Sequence, residues 1–472
     1  MTKKSLNVIV MAAGKGTRMK SATPKVLQRL GGKPLVQHVL ETAQSLNASQ
    51  IVVVTGHEAD VVEMALSKMP ASMATKVQTV RQMPQLGTGH CVQQAAPLLQ
   101  DSADDSMTLI LSGDVPLTQA MTLQSLIETC AGEHLALLTI AFDDPTGYGR
   151  IVRSTDGKQV VSIVEHKDAS PEQRAIHECY SGIMVAPTKR LKEWLAQLDN
   201  NNAAGEFYLT DVVKHAANAG CKVVANCISD HVQVDGVNSP VQLAALERAL
   251  QARTAIGLME QGVRLADPAR LDVRGTLACG KDVEIDVNCV FAGDVVLGDN
   301  VSIGANCVIT DATIANGAVI QAFTHIEGQA GKPVRVGSSA RVGPFARLRP
   351  GADLGEDVHI GNFVEVKNAT LAKGAKANHL AYLGDASVGE RVNYGAGSIT
   401  ANYDGVNKHK TVIEADVHVG SNCVIVAPVT VGAGGTIGAG STVTKDAPAG
   451  SLTVARGKQV SIANWQRPIK KT

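Results

Sequence analysis

The chain has 472 residues, too many for one ordinary core and suited to two or three domains. Its 44 basic residues balance 44 acidic ones, so no overall field favours nucleic acid or a membrane surface, and charged ligands must be met by local clusters. Aromatic residues make up 3% and glycines number 45, which suits a narrow coil with many tight corners better than a sandwich core. Nine cysteines without a Cys-x-x-Cys pair fit reduced thiols. No run of about 18 apolar residues is present to span a bilayer. The two lysines within Met1–Leu6 lead straight into a strand, without a small-residue cleavage site, so the cytoplasm is the expected address.

In chain order, Asn7–Met11, Ile51–Thr55, Thr108–Leu111 and Leu135–Ile140 read as buried strands. Val36–Leu46 and Gly89–Leu99 between them read as helices. Such alternation predicts a Rossmann-like α/β domain whose mainly parallel sheet binds ligands at the carboxyl ends of its strands. The first strand empties into Ala12-Ala13-Gly14-Lys15-Gly16-Thr17-Arg18-Met19, with Pro24-Lys25 soon after. This run lacks the third glycine of a dinucleotide fingerprint and the Gly-Lys-Ser/Thr of a Walker A loop. Its small residues still let backbone amides approach phosphate oxygens, while Arg18 and Lys25 supply charge. A plain strand-to-helix turn is the alternative.

Ser239-Pro240 has the form of an N-cap followed by proline at the first helical position. Val241, Leu243, Leu246 and Leu250 continue at roughly helical spacing towards Met259. This predicts a helical linker over residues 241–261, between domains at 1–240 and 262–472; an extra helix of the first domain is the other reading.

The second half changes grammar. Ile285, Phe291, Leu297, Ile303 and Ile309 recur every six residues. The pattern resumes at Val336, Val342, Leu348, Leu354, Ile360 and Val366, and again at Val419, Ile425, Val431, Ile437 and Val443. A six-residue period is the signature of a parallel β-helix, in which each coil covers its apolar side only by stacking on the next. The polar, non-periodic stretch Thr400–Val412 is expected to be thrown out as a loop, and loops on rigid scaffolds often carry function. Arg349 and Lys367, 18 residues apart, should stack one coil apart, a poor arrangement unless an anion lies between them; two solvated side chains are the bland alternative. His379 sits where hexads prefer small residues, although a lone histidine is usually a surface residue.

The run Ala-Ala-Gly-x-Gly-Thr-Arg-Met with its downstream Pro-Lys resembles sugar-nucleotide pyrophosphorylases. Together with the hexads and the closing Trp465-Gln466-Arg467-Pro468-Ile469-Lys470-Lys471, it resembles the family of bifunctional N-acetylglucosamine-1-phosphate uridyltransferases and glucosamine-1-phosphate acetyltransferases. The resemblance implies a left-handed β-helix of hexapeptide repeats, assembled as a homotrimer. It implies acetyl transfer from acetyl-CoA to glucosamine-1-phosphate, then uridylyl transfer from UTP to N-acetylglucosamine-1-phosphate, with Mg²⁺ as cofactor.

By the same resemblance, Met11, Ala12, Ala13, Gly14, Gln82, Gly87 and Thr88 wall a uridine pocket, with Gln85 and Leu86 beside them. Arg18 and Lys25 meet phosphates. Asp114, with Ser112 and Gly113 before it, and Asn238 bind the metal. Gly149 and Glu165 contact the amino sugar. Read by themselves, Asp114 is a strand-end turn residue and Asn238 a helix cap. In the second half, Arg349, Lys367, Tyr382 and Asn393 hold the sugar phosphate, and His379 is the general base. Asn402, Tyr403, Ser421, Ala439 and Arg456 form the acetyl-CoA site.

Four positions depart from the family's usual pattern. Ser112 replaces a tyrosine, Tyr180 an asparagine that contacts the sugar, Ala401 a cysteine and Tyr394 an aliphatic residue. Tyrosine has a different reach from asparagine, so position 180 is not among the expected contacts.

Two rivals compete with this reading. In one, the coil is only an assembly module for a single-activity pyrophosphorylase, which leaves His379, Arg349 and Lys367 idle. In the other, a metal-dependent coil enzyme uses a histidine triad, whose spacing His359, His379 and His418 do not supply.

Overall fold

The computed structural model describes residues 5–69, 77–101, 106–468 and 470. The lysines before Ser5, and Ile469 and Lys471 of the closing run, lie outside the described residues. The chain divides into two compact units, Met1–Leu250 and Gln251–Thr472.

In the first unit, alternate residues of each strand serve two cores. Val8 and Val10 pack with Ile51, Val53, Leu109 and Leu111 on one face. Ile9 packs with Val52, Val54 and Ile110 on the other. Burial on both faces is why these strands read as continuous apolar runs. The strands are β1 (Leu6–Met11), β2 (Gln50–Thr55), β3 (Val77–Arg81), β4 (Met107–Ser112), β5 (Leu135–Ala141), β6 (Arg150–Arg153), β7 (Val160–Val164), β8 (Glu178–Pro187) and β9 (Val223–Ile228). They form a sheet of order β9-β5-β8-β4-β1-β2-β3, with the β6–β7 hairpin joined to β8.

Strands β1 to β4 are mutually parallel, whereas β8 runs antiparallel between β4 and β5. The order reverses at β1, which lies between β2 and β4, and a cleft opens at such a switch point beyond the strand ends.

Helix Leu35–Ser45 turns Val36, Val39, Leu40 and Ala43 into the first core. The helix expected over Gly89–Leu99 is shorter. It spans Thr88–Ala95 and gives way to a 3₁₀ turn at Ala96–Leu98, where Pro97 lacks the N–H that a longer helix would need. The helix expected after Ser239 spans Pro240–Glu260, and the division between units falls within it. Its Leu246 joins Met19, Leu30 and Leu35 in the first unit. Ala255 and Leu258 join the core of the second. Among the described residues, no helix is long and apolar enough to cross a membrane.

The second unit is a parallel β-helix whose hexad residues stack in three ladders. One runs Ile285, Ile303, Ile320, Val342, Ile360, Ala377, Tyr394, Val419, Ile437. A second carries Phe291, Ile309, Ile326, Leu348, Val366 and Leu383, and the third Leu297, Ile314, Val336, Leu354, Leu371 and Val388. Three hexads therefore make one coil.

The loop expected over Thr400–Val412 is narrower than its polarity suggested. Ile399–Ala401 and Thr411–Ile413 are coil strands, and Thr400 occupies an inward ladder position opposite Ile425. Thr400 is close to valine in shape, and its Oγ1 donates to the Gly384 carbonyl at 3.0 Å while accepting from the Gly384 N–H at 2.8 Å. A satisfied hydroxyl costs little inside a core.

Candidate active sites

The first site lies beyond the ends of β1 and β4. Met11, Ala12, Ala13, Gly14, Lys15, Lys25, Gln82, Gln85, Gly87, Thr88, Ser112, Asp114 and Glu206 are among the residues lining a cleft of about 450 Å³, a size suited to a nucleotide. A Cβ on Gly14 would meet nothing within 4 Å, so the backbone there is open to a ligand. Gly16 adopts φ 59°, and a Cβ on it would lie 2.6 Å from the Cβ of Lys25; only glycine lets the turn bring that lysine in. Gln82 is buried and donates to the Gly87 carbonyl at 2.9 Å, fixing the start of helix Thr88–Ala95.

Lys25 Nζ donates to both Asp114 Oδ2 and Asn238 Oδ1, the latter at 3.2 Å. The Val237 N–H donates to the Asp114 carbonyl at 2.9 Å, holding the second segment against the first. A carboxylate and an amide oxygen thus converge on one positive group, a donor pair of the kind a hard divalent cation takes. Ser112 Oγ donates to Asp114 Oδ1 at 2.7 Å, so the residue that departs from the family pattern orients the carboxylate. Arg18 is exposed on a 3₁₀ turn and does not line the cleft. Gly113 follows β4, its N–H donating to the Met11 carbonyl at 2.9 Å.

Gly149, Glu165 and Tyr180 meet in a separate small group. The Tyr180 N–H donates to the Gly149 carbonyl at 2.9 Å. A Cβ on Gly149 would lie 2.8 Å from Ile163 Cγ2 and 3.6 Å from Glu165 Oε1, so glycine lets this turn pack closely on the segment that bears the carboxylate. Burial raises the Glu165 pKa above the usual carboxylate range, opposed by the Thr210 hydroxyl at 3.0 Å. Tyr180 is buried, its hydroxyl has no partner among the described residues, and burial pushes its pKa up.

In the second unit, successive coils bring Arg349, Glu365, Lys367 and Tyr382 onto one face. Glu365 pairs in register with Tyr382, and Arg349 Nη1 donates to Glu365 Oε1 at 2.8 Å. Desolvation, then the adjacent Lys408 and Arg349, lower the Lys367 pKa below that of an ordinary lysine. Sequence reasoning did not single out Lys408. It lies in the polar loop, remote in sequence from Arg349, so no spacing marked it.

His379 stands on the next corner. Its Nδ1–H donates to Asn362 Oδ1 at 3.2 Å, one coil away, which leaves Nε2 as the lone-pair nitrogen. The Gly397 N–H donates to the His379 carbonyl, that of Asn422 to Ala396, and that of Gly440 to Ser421, so the corner continues through small residues towards Ala439. Arg456 Nη1 donates to the Ala439 carbonyl at 2.6 Å.

Asn393 lies on a different face and donates from Nδ2 to His418 Nε2 at 2.9 Å. Asn402 donates to the Asp385 carboxylate at the root of the polar loop, and Tyr403 Oη donates to the Gly405 carbonyl at 2.6 Å. His359 pairs with Asp357 at 3.3 Å, so the three histidines have three different partners.

Residues 8–207 match the MobA-like NTP transferase domain model, and residues 279–311 and 410–445 match that of the bacterial transferase hexapeptide (six repeats). The chain is 68% identical to the bifunctional protein GlmU of Polaromonas naphthalenivorans, over 99% of this chain and 98% of that one. It is 54% identical to the protein of the same name from Bordetella parapertussis, over 99% and 100%. The chain belongs to the bifunctional GlmU family. A GlmU protein carries two activities, and each unit of the chain has convergent polar residues of its own.

Proposed function

We infer that each unit carries one half-reaction. The chain is a bifunctional transferase of UDP-N-acetylglucosamine synthesis, a uridyltransferase and an acetyltransferase. The observation that carries the assignment of the first unit is the convergence of Lys25, Asp114 and Asn238 at the mouth of a nucleotide-sized cleft.

In the uridylyl step, an oxygen of N-acetylglucosamine-1-phosphate attacks the α-phosphorus of UTP, and pyrophosphate leaves. Little proton transfer is needed, so positioning and charge neutralisation dominate. The Ala12–Gly14 backbone and Lys25 face the phosphates, Gln82, Gly87 and Thr88 face the base, and Gly149 and Glu165 face the sugar. Asp114 and Asn238 would hold Mg²⁺, which supplies charge neutralisation on the triphosphate when bound. Arg18 is assigned to incoming phosphate from the rim.

In the acetyl step, glucosamine-1-phosphate presents an ammonium that has no lone pair for the thioester. His379 takes its proton at Nε2. Arg349 and Lys367, joined by Lys408, hold the phosphate, with Tyr382 on the same face; Asn393, on a different face, is assigned to the sugar by the family resemblance alone. Acetyl-CoA lies along Asn402, Tyr403, Ser421, Ala439 and Arg456.

The coil assembles as a homotrimer. In support, Phe323, Phe345 and Phe363 stack on successive coils with centroids 5.0 and 5.4 Å apart, yet each is about half exposed. An apolar ridge of this kind is a self-association surface. The expected compartment is the cytoplasm, where UTP and acetyl-CoA are available.

Removing divalent metal with EDTA tests the division of labour. Pyrophosphate release from UTP should cease and return with Mg²⁺, while CoA release continues. Loss of both activities, or of neither, contradicts it. Light scattering checks the assembly: an active monomer would refute the trimer.

A further inference from the structure

Arg150 is among the largest fully buried side chains, 1% exposed, and no carboxylate pairs with it among the described residues. Arg150 acts on exposed Asp144 only through the field, helping to lower that group's pKa after its hydrogen bonds to Thr146. A guanidinium brought so far out of water is costly unless its contacts are specific.

The contacts that exist are informative. Nη1 donates to the Tyr148 carbonyl, Nη2 donates to His166 Nδ1 at 3.2 Å, and Nε has no partner. A guanidinium only donates, so His166 accepts as a neutral ring protonated on Nε2. Tyr148 immediately precedes Gly149, and His166 immediately follows Glu165. Arg150 itself is pinned by register against Cys179, next to Tyr180.

We propose that Arg150 is a positioning residue for the amino-sugar phosphate: its buried guanidinium ties the turn bearing Gly149 to the segment bearing Glu165 and so sets the width of the sugar end. The proposal rests on the reading of Gly149 and Glu165 as sugar contacts. The cation is not aimed at the substrate. Its planar fork reaches the Tyr148 carbonyl and the His166 ring at once, a fixed geometry that lysine does not supply. Misplacing either wall by a fraction of an ångström to 1 Å should weaken sugar recognition while the nucleotide cleft, built from other segments, is left intact.

The test uses the full-length enzyme and measures KM for N-acetylglucosamine-1-phosphate and for UTP separately, with kcat. Arg150→Met should raise the sugar-phosphate KM by about 10–100-fold, with UTP KM within about twofold. Arg150→Lys should fall between it and the wild type. His166→Leu removes one of the two tethers, leaves the buried arginine in place, and should raise the same KM by several-fold. It keeps the proposal testable if Arg150→Met does not fold.

Glu165→Gln separates the two levels of the argument. If it raises the sugar KM while Arg150→Lys and His166→Leu do not, the tether is wrong and the site stands. If Glu165→Gln leaves the sugar KM unchanged, the site assignment and the tether fall together. Equal rises in sugar and UTP KM would overturn the proposal by showing a general structural role.

Discussion

The two units bring their polar residues together by different routes. In the first, Lys25 meets Asp114 across 89 residues of sequence and Asn238 across 213, and the meeting depends on a sheet whose chain order reverses at β1. In the second, Arg349 faces Lys367 and Asn362 faces His379 because each pair lies one coil apart in a repeating register. The α/β unit needs long-range topology to bring distant segments to one point. The coil needs only its repeat, and a side chain at one outward position finds its neighbour one coil on, 18 residues later from Arg349 to Lys367 and 17 from Asn362 to His379. Damage should therefore stay local in each unit, and the two activities should be separable by single substitutions.

The sharpest way to break this comparison is Asp114→Ala. It removes the only carboxylate of the proposed metal site, so uridylyl transfer should be abolished while acetyl transfer proceeds at the wild-type rate. Equal loss of both in a folded variant would mean that the sites are not independent. His379→Ala should lower acetyl transfer by roughly 10²–10⁴-fold, the range for losing a general base. The loss should appear in kcat more than KM and be partly recovered at higher pH, where the substrate amine deprotonates unaided.

Legibility from sequence followed the same division. The ladder residues Ile285, Ile303, Val342 and Ile360 stood out because a repeat announces itself in one dimension. The antiparallel strand β8 did not, because its pairing with β4 and β5 is set by segments far away in the chain. Tyr180 was legible only as a departure from the family pattern. Arg150, next to Gly149 in the chain, carried no sign that it would be buried, and Thr400 looked like loop because polarity was visible and its hydrogen bonds to Gly384 were not. Lys408 became legible only when the coil brought its loop beside Lys367.

Two smaller effects sharpen the comparison through stability. Burial holds the folded-state pKa of Glu165 above its unfolded value, so the protonated carboxyl favours folding. That contribution is complete below the unfolded pKa and is lost as pH rises through the folded pKa. Glu165→Gln should therefore melt higher than the wild type above this window and converge with it in acid; a constant difference across pH would contradict the assignment of burial as the cause. In the coil, Tyr394 sits in the apolar ladder with a buried hydroxyl that has no partner among the described residues. Tyr394→Phe should stabilise the protein by about 1 kcal/mol, seen as a rise of a few degrees in melting temperature. A lower melting temperature would mean that the hydroxyl is satisfied.

The most direct test of two independent sites follows both half-reactions in one purified sample. Glucosamine-1-phosphate, acetyl-CoA, UTP and Mg²⁺ are supplied, and CoA and pyrophosphate are measured separately. CoA release should need only the amino-sugar phosphate and acetyl-CoA. Pyrophosphate release should begin only as acetylated sugar phosphate forms, and adding N-acetylglucosamine-1-phosphate directly should remove that dependence on acetyl-CoA. Pyrophosphate release that still requires acetyl-CoA when N-acetylglucosamine-1-phosphate is present, or CoA release that requires UTP, would contradict the account.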